Sequence, residues 1–281
     1  MERRPVVTMP ASSIEAAASA VELVGRSGKP ITAKVNRFGQ GTRVCFLHGL
    51  VGLNEHWELA ARSIAERADC ILFQLPLLQL KGSDCSIDGV VELTAKYLRE
   101  HLDGPAVLVG NSFGGHVAVR LAIEAPEAVS GLVLAGSSGV IEKTLVREVQ
   151  LRPSRDWLAE RLNELFYDDS FVRDQDLDRA HEELSHRSGA RAMIKLSRSA
   201  RKDHVGARLG MVRCPALLVW GRQDVVTPPE AAEQFHAALP NSKRVWFDDC
   251  GHVPMMEKSE QFSAEMRRSL DVSDSAASGE P

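Results

Sequence analysis

Cysteine is scarce in this 281-residue chain, and its five cysteines, Cys45, Cys70, Cys85, Cys214 and Cys250, are odd in number and widely spaced. No CxxC pair occurs, so neither a disulfide framework nor a zinc site is indicated, and the thiols read as reduced. Long hydrophobic runs are missing too. Nothing approaches the roughly 18 consecutive apolar residues of a membrane helix. The opening segment is broken by Pro10, Ser12, Ser13 and Glu15 where a signal peptide needs an unbroken apolar stretch. A cytoplasmic protein without a membrane span is therefore expected. An excess of positive charge is also absent: 34 basic residues stand against 38 acidic ones, a net charge of −4. That balance gives no electrostatic reason to expect nucleic acid or an anionic membrane as partner. A small molecule or another protein is expected instead.

What is present is an ordinary globular composition, 44% hydrophobic and 26% charged, which excludes a disordered or collagen-like chain. Apolar, β-branched runs at 44–47, 70–75, 106–109, 131–135, 216–220 and 244–247 alternate with helical stretches. That alternation predicts a parallel α/β sheet with helices on both faces. Loop punctuation follows each strand directly, and in such sheets the ligand sits outside the carboxyl ends of the strands. Upstream, residues 31–37 and a turn at 39–42 suggest a hairpin feeding Val44, and residues 13–24 suggest a short amphipathic helix. The tail from Ser273 has almost nothing to bury and is expected to be disordered. Between 141 and 205 the alternation breaks: 26 of the 65 residues are charged and no strand-like run occurs. The stretch reads as helices, for example 156–166 and 176–185, placed as a lid at the carboxyl rim or as a solvated decoration.

Chemistry concentrates in three loops. Gly110-Asn111-Ser112-Phe113-Gly114 stands between the run 106–109 and a helical run that Pro126 ends, the G-x-S-x-G arrangement in its strand, turn and helix context. Glycine is required at Gly110 and Gly114 because a Cβ would collide across so sharp a turn. A serine hydroxyl needs a base, and the base an orienting carboxylate. Asp224, in GRQDVVTP, and His252, in CGHVP, each lie just past a strand, and the order Ser, Asp, His is that of a hydrolase built on this turn. Asp203 and Asp248 lack that turn chemistry. His48-Gly49-Leu50 follows the first central strand. The backbone N–H groups of Leu50 and Phe113 would form an oxyanion hole, each donor contributing about 3–4 kcal/mol to the transition state. Gly49 lets the backbone turn inward, and His48 holds the loop. Gly49, His48, Trp157 and Val253 are the candidate substrate-binding residues. His101, His181, His186, His204 and His236 read as surface residues and His116 as a packing residue.

These motifs, LHGLVG followed by Trp57, GNSFGG, LVLAGSSG, LLVWGRQDVVTP and DDCGHVPMMEKSEQF, resemble the α/β-hydrolase family over about residues 31–270. The resemblance implies an eight-stranded, mostly parallel sheet with a helical cap after its sixth strand. The domain division expected is an N-terminal extension at 1–30, a hydrolase core at 31–139 and 207–272, a cap at 140–206 and a tail at 273–281. It implies Ser112 as nucleophile, Asp224 as acid and His252 as base. One departure stands out. The family's Asp-x-Pro-Gly-x-Gly-x-Ser loop is replaced here by QLPLLQLKGSD, with leucines where the glycine after the proline belongs. The departure bears on the loop's conformation and the acyl pocket, not on the triad. The function expected is hydrolysis of a carboxylic ester with an apolar part by a monomer or homodimer, with no metal and no organic cofactor. The uncharged loop 75–80 is read as part of the evidence for that apolar substrate. A carbon–carbon hydrolase of dienoate ring-cleavage products would need basic residues, for which Arg155, Arg191 or Arg198 are candidates. Lactonase, thioesterase or amidase activity and a non-catalytic ligand receptor are further alternatives. An aspartate nucleophile, as in haloalkane dehalogenases and epoxide hydrolases, is absent.

Overall fold

The structure, a computed structural model, describes residues 18–142 and 153–278, with side chains up to residue 270. Eight strands, β1 (Ser19–Val24), β2 (Pro30–Gly39), β3 (Thr42–Leu47), β4 (Ala68–Gln74), β5 (Ala106–Asn111), β6 (Val129–Ala135), β7 (Ala216–Gly221) and β8 (Ser242–Phe247), form one sheet. Their order is β1-β2-β4-β3-β5-β6-β7-β8. Only the β1/β2 and β2/β4 pairs are antiparallel. The six runs read from the sequence are the last six strands, each of which extends one or two residues beyond its run at one end, while β4 stops at Gln74, one residue short of the run 70–75.

Two cores explain why those runs are apolar without alternation. In β5, Ala106 and Leu108 join one hydrophobic cluster while Val107 and Val109 join the other, across the sheet. β7 repeats the pattern, with Leu218 and Trp220 on one side and Leu217 and Val219 on the other. A strand covered by helices on both faces must be apolar at every position. On one side pack α2 (Ile87–His101), α3 (Phe113–Glu124) and α7 (Pro229–Ala238); on the other pack α1 (Glu58–Arg62), α8 (Pro254–Glu257) and α9 (Ser259–Ser278).

Three expectations are corrected at the chain's ends. Residues 19–24 are strand β1, not helix; Val21 and Leu23 face inward at a period of two and Leu23 is fully buried, while residues 13–17 lie outside the described residues. The turn after β2 exists, but β2 does not pair with β3. Gln40 and Thr42 N–H instead bond to Ala65 and Arg67 carbonyls, so the chain crosses the end of β4, which inserts between the two strands. The hairpin partner of β2 is β1. Lastly, the backbone of 273–278 continues α9, because extending an existing helix needs none of the costly nucleation that a free polar segment would, while residues 279–281 of the expected tail lie outside the described residues.

Between β6 and β7 the chain forms α4 (Arg155–Asn163), α5 (Asp174–Ser185) and α6 (Arg187–Lys202), all helical as the charged stretch predicts. Leu158, Leu177 and Leu184 of α4 and α5 make a small core of their own with Leu78. Leu78 belongs to the departing loop, which forms a short 3₁₀ turn at Leu77–Gln79; Leu77 and Leu80 join the main core with Ala192 and Leu196 of α6. The leucines that replace the family's glycine thus anchor the inserted helices.

Candidate active site

Ser112 sits between β5 and α3 with φ 53° and ψ −121°, a conformation that L-residues rarely adopt. The surrounding chain enforces it. A Cβ on Gly110 would come within 2.6 Å of the Gly114 backbone, and one on Gly114 would run into the Leu47 carbonyl. Ser112 N–H donates to the carbonyls of Ala135 (3.2 Å) and Gly136 (3.1 Å), which ties the turn to the end of β6.

Behind it lies a buried acid–base pair. His252 Nδ1 is 2.9 Å from Asp224 Oδ2, and both residues are 3% exposed. The loop after β7 prepares the carboxylate: Val226 and Thr227 N–H each donate to Oδ1 at 2.9 Å, and the Thr227 hydroxyl donates to Oδ2 at 2.8 Å. Burial alone would favour the neutral imidazole, but the negative charge and hydrogen bond of Asp224 outweigh it and raise the His252 pKa above its ordinary value. With Nδ1–H held by the carboxylate, Nε2 is left as the proton acceptor. Asn111 braces the arrangement, its amide donating to the carbonyls of Ala135 (2.9 Å) and His252 (3.0 Å). Gly136, at φ +51°, leaves room for the pair: a Cβ there would stand 3.0 Å from both Asp224 Oδ2 and His252 Nδ1. Asn111, Thr227 and Gly136 were legible only as punctuation around the motifs. The competing carboxylates are occupied elsewhere, Asp203 with His116 (3.0 Å) and Arg120, Asp248 with Arg222 (2.8 Å).

Ser112 and His252 open onto one cavity of about 190 Å³, whose wall includes Gly49, Leu50, Trp157 and Val253. Two other candidates stand back from it. Phe113 has its ring in the core, and as the first residue of α3 its N–H has no acceptor within the helix. The N–H groups of Phe113 and Leu50 make no hydrogen bond among the described residues. His48, expected among the substrate-binding residues, does not line the cavity. Its ring is buried under the loop, Nδ1 lies 2.7 Å from the Gly49 carbonyl, and burial pushes its pKa down to about 4, so it stays neutral.

The inserted helices close the cavity with Leu158, Leu162, Leu165 and Phe166 beside Trp157. Leucines 75 to 80 take no part; they are spent on anchoring, and the apolar wall comes instead from α4 and the segment after it together with Leu184 of α5, Met193 of α6 and Leu50 and Met256 of the core. Nor do the expected arginines reach it. Arg155 is exposed and paired with Asp174 and Asp178, and Arg191 and Arg198 stand over a separate depression with Lys195 and Lys202. Among the described residues the arginines at the cavity are Arg161, Arg173 and Arg179, paired with Glu164 (2.6 Å), Asp176 (2.7 Å) and Glu183 (3.2 Å). Asp176 also accepts from His56 Nε2 (3.2 Å), and these partners overcome burial to hold its carboxyl well below the usual range. Glu142, also at the cavity, has its carboxyl pushed upward by burial. Among the described residues no His, Cys, Asp and Glu cluster suits a metal ion, and no helix is long and apolar enough to cross a membrane.

Comparison with known proteins adds an independent line. The model of the "Alpha/beta hydrolase family" matches residues 46–265. A pimeloyl-[acyl-carrier protein] methyl ester esterase of Nitrosomonas europaea is 29% identical over 250 residues, covering 80% of this chain and 94% of the relative. A 2-hydroxy-6-oxononadienedioate/2-hydroxy-6-oxononatrienedioate hydrolase of Paraburkholderia xenovorans is 30% identical over 252 residues, covering 81% of this chain and 86% of the relative. The solved structure of a thermophilic esterase from Thermogutta terrifontis shares the fold at a TM-score of 0.73 and 20% identity, over 91% of this chain and 99% of that one.

Proposed function

The chain belongs to the α/β hydrolase family, a hydrolase fold, and from that premise we propose that it cleaves carboxylic esters through an acyl-enzyme formed on Ser112. His252 Nε2 takes the hydroxyl proton as Ser112 Oγ attacks the ester carbonyl. The resulting oxyanion is held by the N–H groups of Leu50 and Phe113. His252 then gives its proton to the leaving alcohol, and water, activated by the same imidazole, releases the acid and restores Ser112. Asp224 keeps the proton on Nδ1 and stabilises the imidazolium that forms. In this reading residues 31–139 and 207–272 are the catalytic core, to which β1 adds an edge strand, and 140–206 is the cap.

The observation that carries the ester reading is the charge of the cavity. Among the described residues its three arginines each face a carboxylate and Glu142 adds a further acidic group, so its walls present no net positive charge to a substrate. A neutral ester with an apolar part suits those walls. The named activity of the Nitrosomonas relative supports the same bond type. A second reading, cleavage of a carbon–carbon bond in an anionic dienoate, draws on one observation: the Nε atoms of Arg161 and Arg179 are buried with no partner among the described residues. The purified protein, assayed on neutral p-nitrophenyl esters and on a dienoate ring-cleavage product with Ser112→Ala as control, separates the two. Turnover of the esters that is lost in Ser112→Ala supports the first; a clear preference for the dienoate overturns it.

A further inference from the structure

Glu257 has no part in the chemistry described above, yet its carboxylate is buried at 7% exposure and sits between two segments that meet at the base. Oε1 accepts the N–H of Gly251 at 2.8 Å, the peptide adjoining His252. Oε2 accepts the N–H groups of Tyr167 (2.7 Å) and Asp168 (3.4 Å), which follow α4 in the inserted region. The two segments also touch directly. His252 N–H donates to the Leu165 carbonyl at 2.8 Å, and a Cβ on Gly251 would stand 2.7 Å from that same oxygen. Leu165 and Phe166, one and two residues before Tyr167, form cavity wall. No cation forms an ion pair with Glu257 among the described residues. Its charge is met by backbone N–H donors, an arrangement that demands an acceptor on both oxygens.

We propose that Glu257 is a positioning residue for the base: it locks the His252 loop to the segment 165–168, so that imidazole and cavity wall move as one body. The inference rests on the reading of His252 as general base. Because the buried Glu257 carboxylate holds both segments at once and His252 N–H bonds directly to the Leu165 carbonyl, displacing either segment displaces the other, and fit of a substrate against Leu165 and Phe166 is transmitted to the position of Nε2. Glu257 also contributes charge. The charges of Asp224, Glu142 and Glu257 all act on His252 and favour its protonated form, against the burial that disfavours it. Around Glu257 itself lie the Cys250 thiol and Lys258.

Glu257→Gln tests this, because it puts a donor NH₂ in place of one of the two oxygens that now accept N–H groups, breaking the tie on that side, and removes the charge. A ¹⁵N NMR titration of the His252 ring, performed in Ser112→Ala protein and its Glu257→Gln counterpart, needs no turnover. It therefore stands apart from the ester reading, which fails by itself if no ester is cleaved. The expected results are a lower titration midpoint for His252 in the Gln variant and, with Ser112 restored, a fall in kcat of about ten- to a hundredfold, the scale of a misplaced catalytic group. An unmoved midpoint, whether or not kcat falls, overturns the proposal, since a merely structural role would leave it in place. Should Glu257→Gln fail to fold, Glu257→Asp keeps the charge and shortens the reach. A wild-type midpoint with reduced kcat is then expected, and unchanged kcat overturns the proposal.

Discussion

His48 Nδ1 lies 2.7 Å from the carbonyl oxygen of Gly49, and that contact sets the direction of a different group. The Gly49 carbonyl accepts from the His48 ring and from the Gly52 N–H at 3.0 Å, so the Gly49–Leu50 peptide is held by its oxygen from two sides. The peptide is trans, and its N–H, that of Leu50, therefore points the opposite way. Leu50 lines the cavity with Ser112. His48→Ala frees the peptide to rotate. The expected outcome is a fall in kcat for p-nitrophenyl esters of about tenfold or more, up to the roughly 10²–10³ that complete loss of an oxyanion donor produces, at nearly constant KM. Steady-state kinetics on the variant, with circular dichroism to confirm folding, decide it; a rise in KM alone would refute this role.

The pair His252 and Asp224 predicts a pH profile. His252 must be neutral to accept the Ser112 proton, and Asp224 holds its pKa above the ordinary 6.5, so kcat/KM is expected to climb with pH through a midpoint above 6.5. Asp224→Asn removes the charge that raises it and leaves Nδ1–H without its acceptor. The acid limb is then expected at lower pH and the plateau about 10⁴-fold lower. Thr227→Val deletes one hydrogen bond to Oδ2, and a smaller loss, on the order of tenfold, is expected because a bond to a charged group contributes about 1.5–3 kcal/mol. A wild-type profile in Asp224→Asn would mean another carboxylate orients the base.

Strain at Ser112 predicts a trade of activity for stability. At φ 53° and ψ −121° the residue occupies a region that only glycine enters freely, at a cost of about 1–3 kcal/mol for serine. Ser112→Gly is expected to abolish ester hydrolysis and to raise the thermal midpoint by a few degrees, the shift that about 1 kcal/mol produces in a domain of this size. Scanning calorimetry beside an activity assay checks both halves. A lower midpoint would show that the turn is not strained in the sense argued.

Much of this was readable from residues because the sheet and the turns obey local rules. The central strands are apolar on both faces, which needs no partner to be known, and the glycines around Ser112 announce a close approach that a Cβ would prevent. Thr227 and Asn111 were not readable, because a threonine beside a proline or an asparagine in a turn has many uses, and only the fold brings their donors within 3.0 Å of Asp224 and His252. Residues 19–24 misled because a six-residue run with two inward apolar side chains fits a helix or a strand equally well until a neighbouring strand is seen to pair with it. Glu257 followed the histidine motif closely in sequence, but its three N–H donors come from two separate loops, at 167–168 and at 251, that only the fold brings together.

The leucine-rich loop after β4 gives the last prediction. Leu78 is 6% exposed and packs with Leu158, Leu177 and Leu184, the only side chain of the catalytic core that is fully part of that small cluster among the described residues. Removing it deletes apolar contact between core and inserted helices without touching the walls around Ser112, since Leu78 does not line the cavity. Leu78→Ala is expected to destabilise by about 2–3 kcal/mol, at the low end for buried leucine because the cluster is small and near the surface. The loss should be local. Limited proteolysis is expected to cut the variant within 153–203 faster than the wild type, while hydrolysis of a short ester keeps its kcat and KM and that of a long-chain ester shows a raised KM, as the wall formed by Trp157 and Leu162 is no longer held over the site. Equal proteolysis rates and equal KM values for both esters would show that the inserted helices are held by their polar ties to the core, Arg179 to the Val51 carbonyl and His56 to Asp176, and not by the leucine.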